Sequence, residues 1–443
     1  MIKIKSAFLI LLSIGVPAIC YGQTILSLKD CLELAIENNL QLQSQHNQWR
    51  QSQENISENR AKLLPQINGS VTFNDNFKPP VSATDQSAMG VPYNITHTLQ
   101  YSTGMGISLN MPLYNQTLLT SMELVRLASG ISSIQEEKAR EDLIVNVAKM
   151  YCVAQVTTSQ ISLLDANIRD LEQLRKYTAA YFENGMVLEV DLQRVDLNIS
   201  SLRTARDNSI SILQQQYNSL KYIMDYPAES EFRVIEVDIS DLPALTATGL
   251  SNDLPEIRLL NQAQNIAETQ LKMARQGYLP SLSLTGFLQW NGWTGSLKRW
   301  GGNYPDKKLW NSYGIGLTLR IPIFDGFEKR SKTRKGQLAV EDARLKIEDA
   351  QNGLQTQYNN AILECNSALR SYDREKANYE LAQSVYSVTS NQYTEGVATM
   401  TAVLQDQMNI NQAMGGYLKS YLDCRLANIT ILKLSGQINT LLK

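Results

Sequence analysis

The stretch LQYSTGMGISLNM, Leu99–Met111, decides the fold. Side chains of an extended strand alternate between its two faces. Tyr101, Thr103, Met105, Ile107, Leu109 and Met111 therefore share one face, while Ser102, Gly104, Gly106, Ser108 and Asn110 share the other. An apolar face opposite a small, polar one, with Pro112 just past the end, suits a wall between lipid and water better than a soluble core. The same pattern returns in residues 311–321, where Tyr313, Ile315, Leu317, Leu319 and Ile321 alternate with Ser312, Gly314, Gly316, Thr318 and Arg320, and Pro322 follows. Two further alternating segments are expected at about 66–77, with Ile67, Val71 and Phe73 on one face, and at about 281–291, with Leu282, Leu284, Leu288 and Trp290.

Working outward, the rest of the chain reads as helix. Residues 28–64 carry Leu28, Leu32, Ala35 and Ile36 at helical spacing until Pro65 stops them, and a loop is expected over 78–98. From about 115 to 183 an apolar seam alternates in threes and fours, from Leu143 to Phe182, broken at Arg175 and Thr178. A helix of that length rises roughly 100 Å. It turns near Gly185 and returns to about Tyr222. A linker over 227–254 contains FRVIEVDI, which reads as a short strand. A helix from Pro255, the two later strands, and a helix from about Asp325 to Thr394 follow, and the chain turns near Gly396 and returns to about Ser435.

This order is a duplication. Pro65 and Pro280 lie 215 residues apart, Pro112 and Pro322 lie 210 apart, and Gly185 and Gly396 lie 211 apart. Three landmarks of different type keeping nearly one offset define two repeats, 23–226 and 255–443. The return helices MVLEVDLQRVDLNI and VATMTAVLQDQMNI align without gaps. In the second long helix Tyr358, Cys365, Tyr372, Tyr379, Tyr386 and Tyr393 recur every seven residues with alanines between, a coiled-coil packing pattern.

Composition narrows the function. Residues 1–22, with MIKIK, the apolar AFLILLSIGV and a small residue at Gly22, read as a signal peptide. Ile19 before Cys20 argues against a lipoprotein site. No later apolar run is long enough for a spanning helix, which leaves a β-barrel as the route across a bilayer. A net charge of −2 speaks against a nucleic-acid partner, and His46 and His97 are too few and too far apart for a metal cluster. Cys31, Cys152, Cys365 and Cys424 read as small buried apolar residues. No HExxH, GxSxG or phosphate-binding glycine loop is present, so no enzyme and no cofactor is expected.

Four strands cannot close a barrel and open edges are not tolerated in hydrocarbon, so the chain must associate. Three copies would give twelve strands around a water-filled lumen. Taken together, the leader, the duplicated halves, the helix-LPxL-strand and strand-PL or strand-PI-helix junctions at Pro65, Pro280, Pro112 and Pro322, and the two glycine turns resemble the TolC-like outer membrane efflux proteins. The resemblance covers essentially all of the mature chain. It implies a homotrimer with a twelve-stranded outer membrane barrel in contact with lipid, and an α-helical periplasmic tunnel. It further implies a passive exit channel that docks to a periplasmic adaptor protein and a proton-driven or ATP-driven inner membrane pump.

The resemblance also assigns residues. Asp191, Tyr393, Ala402, Gln405 and Asp406 fall at the periplasmic entrance; Gly185, Val187, Leu188, Gly396, Ala398 and Thr399 form the adaptor-docking turns. Ala402 and Gln405 occupy positions where relatives carry carboxylates, with Asp406 one residue out of register, and Ala398 replaces a basic partner. Packing explains Tyr393 as the end of its tyrosine series, and the helix dipole favours any carboxylate at Asp191. The basic run Lys329, Arg330, Lys332, Arg334 and Lys335 reads as a solvated helix face. Of the tryptophans near the second outer loop, only Trp290 falls on an apolar strand face. The competing reading is a secreted trimeric coiled-coil structural or adhesin protein with a soluble strand head.

Overall fold

The computed structural model describes residues 24–79, 81–86, 91–97, 99–240, 242, 249–296 and 309–442, so the expected leader, Cys20 and Trp300 lie outside the described residues. In chain order the elements are β1 (Thr24–Leu26), α1 (Leu28–Asn38), α2 (Leu40–Ala61), β2 (Gln66–Asp75), β3 (Val81–Gln86), β4 (Val91–His97) and β5 (Tyr101–Tyr114). Next come α3 (Gln116–Glu183), α4 (Glu189–Met224), β6 (Phe232–Val234), α5 (Pro255–Gln276), β7 (Ser281–Thr294) and β8 (Trp310–Arg320). The chain closes with α6 (Glu328–Thr394), α7 (Met400–Leu434) and a 3-10 turn, Ile438–Leu442. Two compact units divide it: one of Ser44–Lys138 with Asn252–Gly353, the other of Ala139–Ser251 with Leu354–Lys443 and the N-terminal residues up to Gln43.

The first unit holds an antiparallel sheet of order β2-β5-β7-β8. Its register stacks Ile67, Leu109, Gly286 and Ile315 in one row, and Val71, Met105 and Trp290 in another, so the apolar faces of all four strands form one continuous surface. On that surface Tyr313 and Ile315 are 79% and 80% exposed in the single chain. Gln66, Asn68, Ser70, Thr72, Ser108, Asn110 and Thr285 cover the reverse face. Phe287 interrupts it, with its ring laid over Gly314, where an added Cβ would meet the ring at 2.9 Å. Among the described residues β2 pairs only with β5 and β8 only with β7, so both edges of the sheet are open.

Local chemistry explains where the sequence reading shifts. The helix expected over 28–64 is two helices, because Asn39 leaves helical geometry at ψ 117°. Its Oδ1 accepts the Leu42 N–H at 2.9 Å and its Nδ2 donates to the Ile223 carbonyl at 2.8 Å. The loop expected over 78–98 instead contains an antiparallel hairpin, β3 with β4; Val91, Tyr93 and Ile95 alternate with Pro92, Asn94 and Thr96 along the sequence, but the proline and glycine turn signals around them point to a loop. Pro112 does not end its strand: β5 continues to Tyr114 through a register shift between Pro112 and Tyr114, an irregularity that accommodates the missing N–H. The second long helix begins at Glu328 rather than Asp325, after Gly326 and Phe327 adopt φ of 63° and 69°.

In the second unit the helices are held by one seam. Leu164, Ile168, Leu171 and Leu174 of α3 and Val195, Ile199 and Leu202 of α4 pack with Tyr372, Tyr379, Tyr386 and Tyr393 of α6 and with Met400, Val403, Met414 and Tyr417 of α7. The heptad spacing puts all four tyrosines inside. Tyr379 stacks on Tyr417 at 5.6 Å, and Tyr372 and Tyr417 both donate to the Ile239 carbonyl, at 2.7 and 2.8 Å. Thr178, a break in the seam by sequence, is fully buried because its hydroxyl donates to the Leu174 carbonyl at 2.9 Å. Arg175 is exposed and pairs with Asp196; Glu172–Arg203 and Asp165–Arg206, both at 2.6 Å, continue an ion-pair ladder between α3 and α4. Cys31, Cys152, Cys365 and Cys424 are buried free thiols, and desolvation pushes the Cys31 thiol up to about 12.

Candidate functional site

The two turns that join the long helices are built alike. In the first, Gly185 takes φ 70°, the Gly185 N–H donates to Phe182 O at 2.9 Å and the Met186 N–H to Tyr181 O at 2.8 Å. In the second, Gly396 takes φ 77°, donating to Tyr393 O at 3.0 Å, and the Val397 N–H donates to Gln392 O at 2.9 Å. Left-handed glycine just past the last helical residue satisfies the terminal carbonyls, which is why glycine stands at both places. Met186, Leu188 and Val397 project into solvent, while Val187 and Ala398 are half-buried. Thr399 caps α7 by accepting the Ala402 N–H at 3.3 Å; Leu188 occupies the same place before α4 without a side-chain cap.

The turns are tied to each other by side chains. Tyr393, 4% exposed, donates from its hydroxyl to Thr178 Oγ1 at 3.4 Å and packs beside Tyr181 with ring centroids 6.2 Å apart. The Tyr181 hydroxyl donates to the Thr394 carbonyl at 2.6 Å. On the other side Arg194 reaches both Asp191 Oδ1 and Thr401 Oγ1, each at 3.3 Å. Burial pushes the Tyr393 phenol above its usual range, the Thr178 hydrogen bond lowers it, and the Asp191 charge adds to the rise. Asp191 thus lies close enough for its charge to act on Tyr393, each residue held in its own network of contacts.

It does not include the other three entrance residues. Ala402 and Gln405 are exposed, with the Gln405 Nε2 on Asn409 Oδ1 at 3.3 Å, and Asp406 accepts from Asn409 Nδ2 at 3.5 Å. The residue after Asp406, Gln407, is 1% exposed, and neither its Nε2 nor its Oε1 has a partner. Sequence reasoning passed over Arg194, Thr178, Tyr181, Thr401 and Gln407. Arg194 carried a signal, the i,i+3 acid–base spacing from Asp191. Tyr181 and Thr401 are partnered across more than 200 residues and carried none. Among the described residues no group of histidine, cysteine or carboxylate side chains could hold a metal ion.

Long helices paired through glycine turns, with a four-stranded sheet of one apolar face, define the architecture of outer membrane channel proteins. The structure superposes on CusC with a TM-score of 0.74 at 16% identity, covering 93% of both chains. It superposes on the Campylobacter jejuni CmeC channel with a TM-score of 0.72 at 17% identity, covering 93% of this chain and 86% of that one. In sequence it is 23% identical to the outer membrane protein TolC of Salmonella enteritidis over 297 residues, 64% of this chain and 56% of that protein. The alignment thus spans just over half the length of that relative. The family model described as outer membrane efflux protein matches residues 31–224 and 250–437, and the chain belongs to that family. It is an outer membrane protein with its helices on the periplasmic side, and the family is one of transport proteins rather than enzymes.

Proposed function

We propose that the chain is the passive outer membrane exit duct of a tripartite exporter or type I secretion system, acting as a homotrimer. The observation that carries this reading is the sheet: four strands share one apolar face, and both edges, β2 and β8, are open. Three copies joined edge to edge make twelve strands with lipid outside and the Asn, Ser, Thr and Gly face around water. The two repeats, 23–226 and 255–443, each contribute a pair of strands and a helical hairpin, which gives six hairpins in the periplasmic tunnel. CusC and CmeC are described as a transmembrane channel and an outer membrane channel, which supports the same reading here.

In this account the turns Gly185, Val187, Leu188 and Gly396, Ala398, Thr399 dock a periplasmic adaptor, and the exposed Met186, Leu188 and Val397 supply its apolar contacts. Asp191 and Tyr393, with Arg194 and Thr178, hold the entrance closed, while Ala402 and Gln405 line it without charge and Asp406 supplies one carboxylate per chain. The pump in the inner membrane, proton-driven or ATP-driven, supplies the energy. Planar-bilayer recording tests the duct: purified protein is expected to give conductance steps that rise when Arg194→Ala loosens the entrance. Absence of any conductance would refute the reading. Glutamate at Val187 or Ala398 is expected to weaken adaptor capture without changing assembly, and unchanged capture would remove the docking assignment.

A further inference from the structure

The transport reading leaves the junction between β8 and α6 unused. Beyond the apolar face of β8 the chain continues with Ile321, Ile323, Phe324 and Phe327, all exposed, Ile323 at 94% and Phe324 at 75%. The Phe324 and Phe327 rings meet edge to face at 5.5 Å, so the two form one apolar patch. Five cations follow within seven residues: Lys329, Arg330, Lys332, Arg334 and Lys335. Asp325 takes Lys329 at 3.1 Å and Glu328 takes Lys332 at 2.5 Å. Arg330, Arg334 and Lys335 are exposed and enter none of the ion pairs found among the described residues. Arg330 and Arg334 stand at i and i+4 of α6, so two of the three free cations share one helix face directly after the apolar collar in the chain.

A strand–helix junction does not require this charge. The corresponding start of α3, after β5, carries only Glu123 and Arg126 among its first eleven residues. Arg330 stands in the first turn of α6, where the helix dipole opposes a cation and an external anion would relieve it. The apolar collar beside them selects an anion attached to hydrocarbon, and on the periplasmic side of a barrel that chemistry belongs to the membrane itself.

We propose that residues 321–335 form a site for an anionic glycerophospholipid of the periplasmic leaflet. Arg330, Arg334 and Lys335 hold the headgroup phosphate, and Ile321, Ile323, Phe324 and Phe327 cover the first methylenes of the acyl chains. The inference rests on the barrel reading above, which puts the apolar face of β8 against lipid. It adds a preference that a merely hydrophobic wall would lack.

The test reconstitutes the full chain into phosphatidylcholine vesicles with and without phosphatidylglycerol, extracts it in mild detergent, and counts retained lipids by native mass spectrometry. Wild type is expected to retain phosphatidylglycerol in preference to phosphatidylcholine. Each basic residue near an anionic surface contributes about five-fold in binding, so Arg330→Gln with Arg334→Gln and Lys335→Gln should cut the preference by roughly ten- to hundred-fold. Arg330→Lys with Arg334→Lys should keep it, and the single Lys335→Gln should lower it a few-fold even if the triple variant assembles poorly. Inorganic phosphate should not displace the lipid. An unchanged preference in the Lys335→Gln and triple variants, displacement by phosphate, or no preference in a wild type that inserts normally would each overturn the lipid site while leaving the barrel standing. A wild type that enters neither kind of vesicle would overturn both.

Discussion

Arginine substituted for Ile315 separates a membrane wall from a water-exposed sheet. Ile315 sits midway along β8, in the row with Leu109 and Ile67, and in the single chain is 80% exposed. Ser70, midway along β2 on the opposite face, is also exposed and lies across from Gly106, which leaves room for a larger side chain. In a soluble sheet both positions face water, and Ile315→Arg and Ser70→Arg would each change stability by no more than about 0.5 kcal/mol. In a barrel the two diverge. Arginine on the lipid face near the bilayer centre costs about 2–4 kcal/mol per chain, or roughly 6–12 kcal/mol for three chains inserting together, while arginine facing the lumen costs close to nothing. Urea titration of protein folded into vesicles measures the difference. Ile315→Arg is expected to abolish or sharply reduce insertion and Ser70→Arg to leave it near wild type. Equal behaviour of the two variants would refute the facing assigned to the sheet.

Three further outcomes are expected. Burial raises the Tyr386 phenol to about 12, with the Asp170 charge adding to the shift, and raises Tyr379 and Tyr393 as well. Both folded and unfolded chains keep these groups neutral below pH ~10, so their contribution is intact there; above it the unfolded chain ionises first and stability falls through pH ~12, which far-UV circular dichroism against pH will show. Gln407→Leu removes two buried polar atoms without partners and should raise the thermal midpoint of the helical unit, by about 1–3 kcal/mol in stability; a lower midpoint would mean that the amide is satisfied. Gly396→Ala forces a Cβ into left-handed geometry at φ 77° with no steric neighbour to complicate it, and should cost about 1–2 kcal/mol, read by chemical denaturation; no cost would mean the turn relaxes freely.

What the sequence carried openly was periodicity. Alternation placed β5 and β8, the seven-residue tyrosine series placed one side of the helical seam, and the glycines located both turns, because each is a local consequence of backbone geometry. What it hid were features settled by a distant partner. Asn39 ends a helix because Ile223 offers its carbonyl 184 residues away. Thr178 reads as a defect until Tyr393 closes over it. The β3–β4 hairpin was hidden differently: Val91, Tyr93 and Ile95 alternate with Pro92, Asn94 and Thr96, but the prolines and glycine around them carry the signature of a loop. At the candidate site Asp191 and Tyr393 were legible individually. Their separate partners, Arg194 and through it Thr401 for Asp191, Thr178 and Tyr181 for Tyr393, depend on how α3, α4, α6 and α7 pack, which no spacing along the chain encodes.

In the proposed trimer β8 of one chain hydrogen-bonds to β2 of the next until three chains close a ring. Chains carrying one introduced cysteine on β8 and one on β2, mixed as differently tagged copies and oxidised in the membrane, measure this directly. Crosslinks are expected only between chains, at one antiparallel register, in a series that stops at the trimer. Crosslinks within a single chain, or no β8–β2 crosslink at any register, would contradict it.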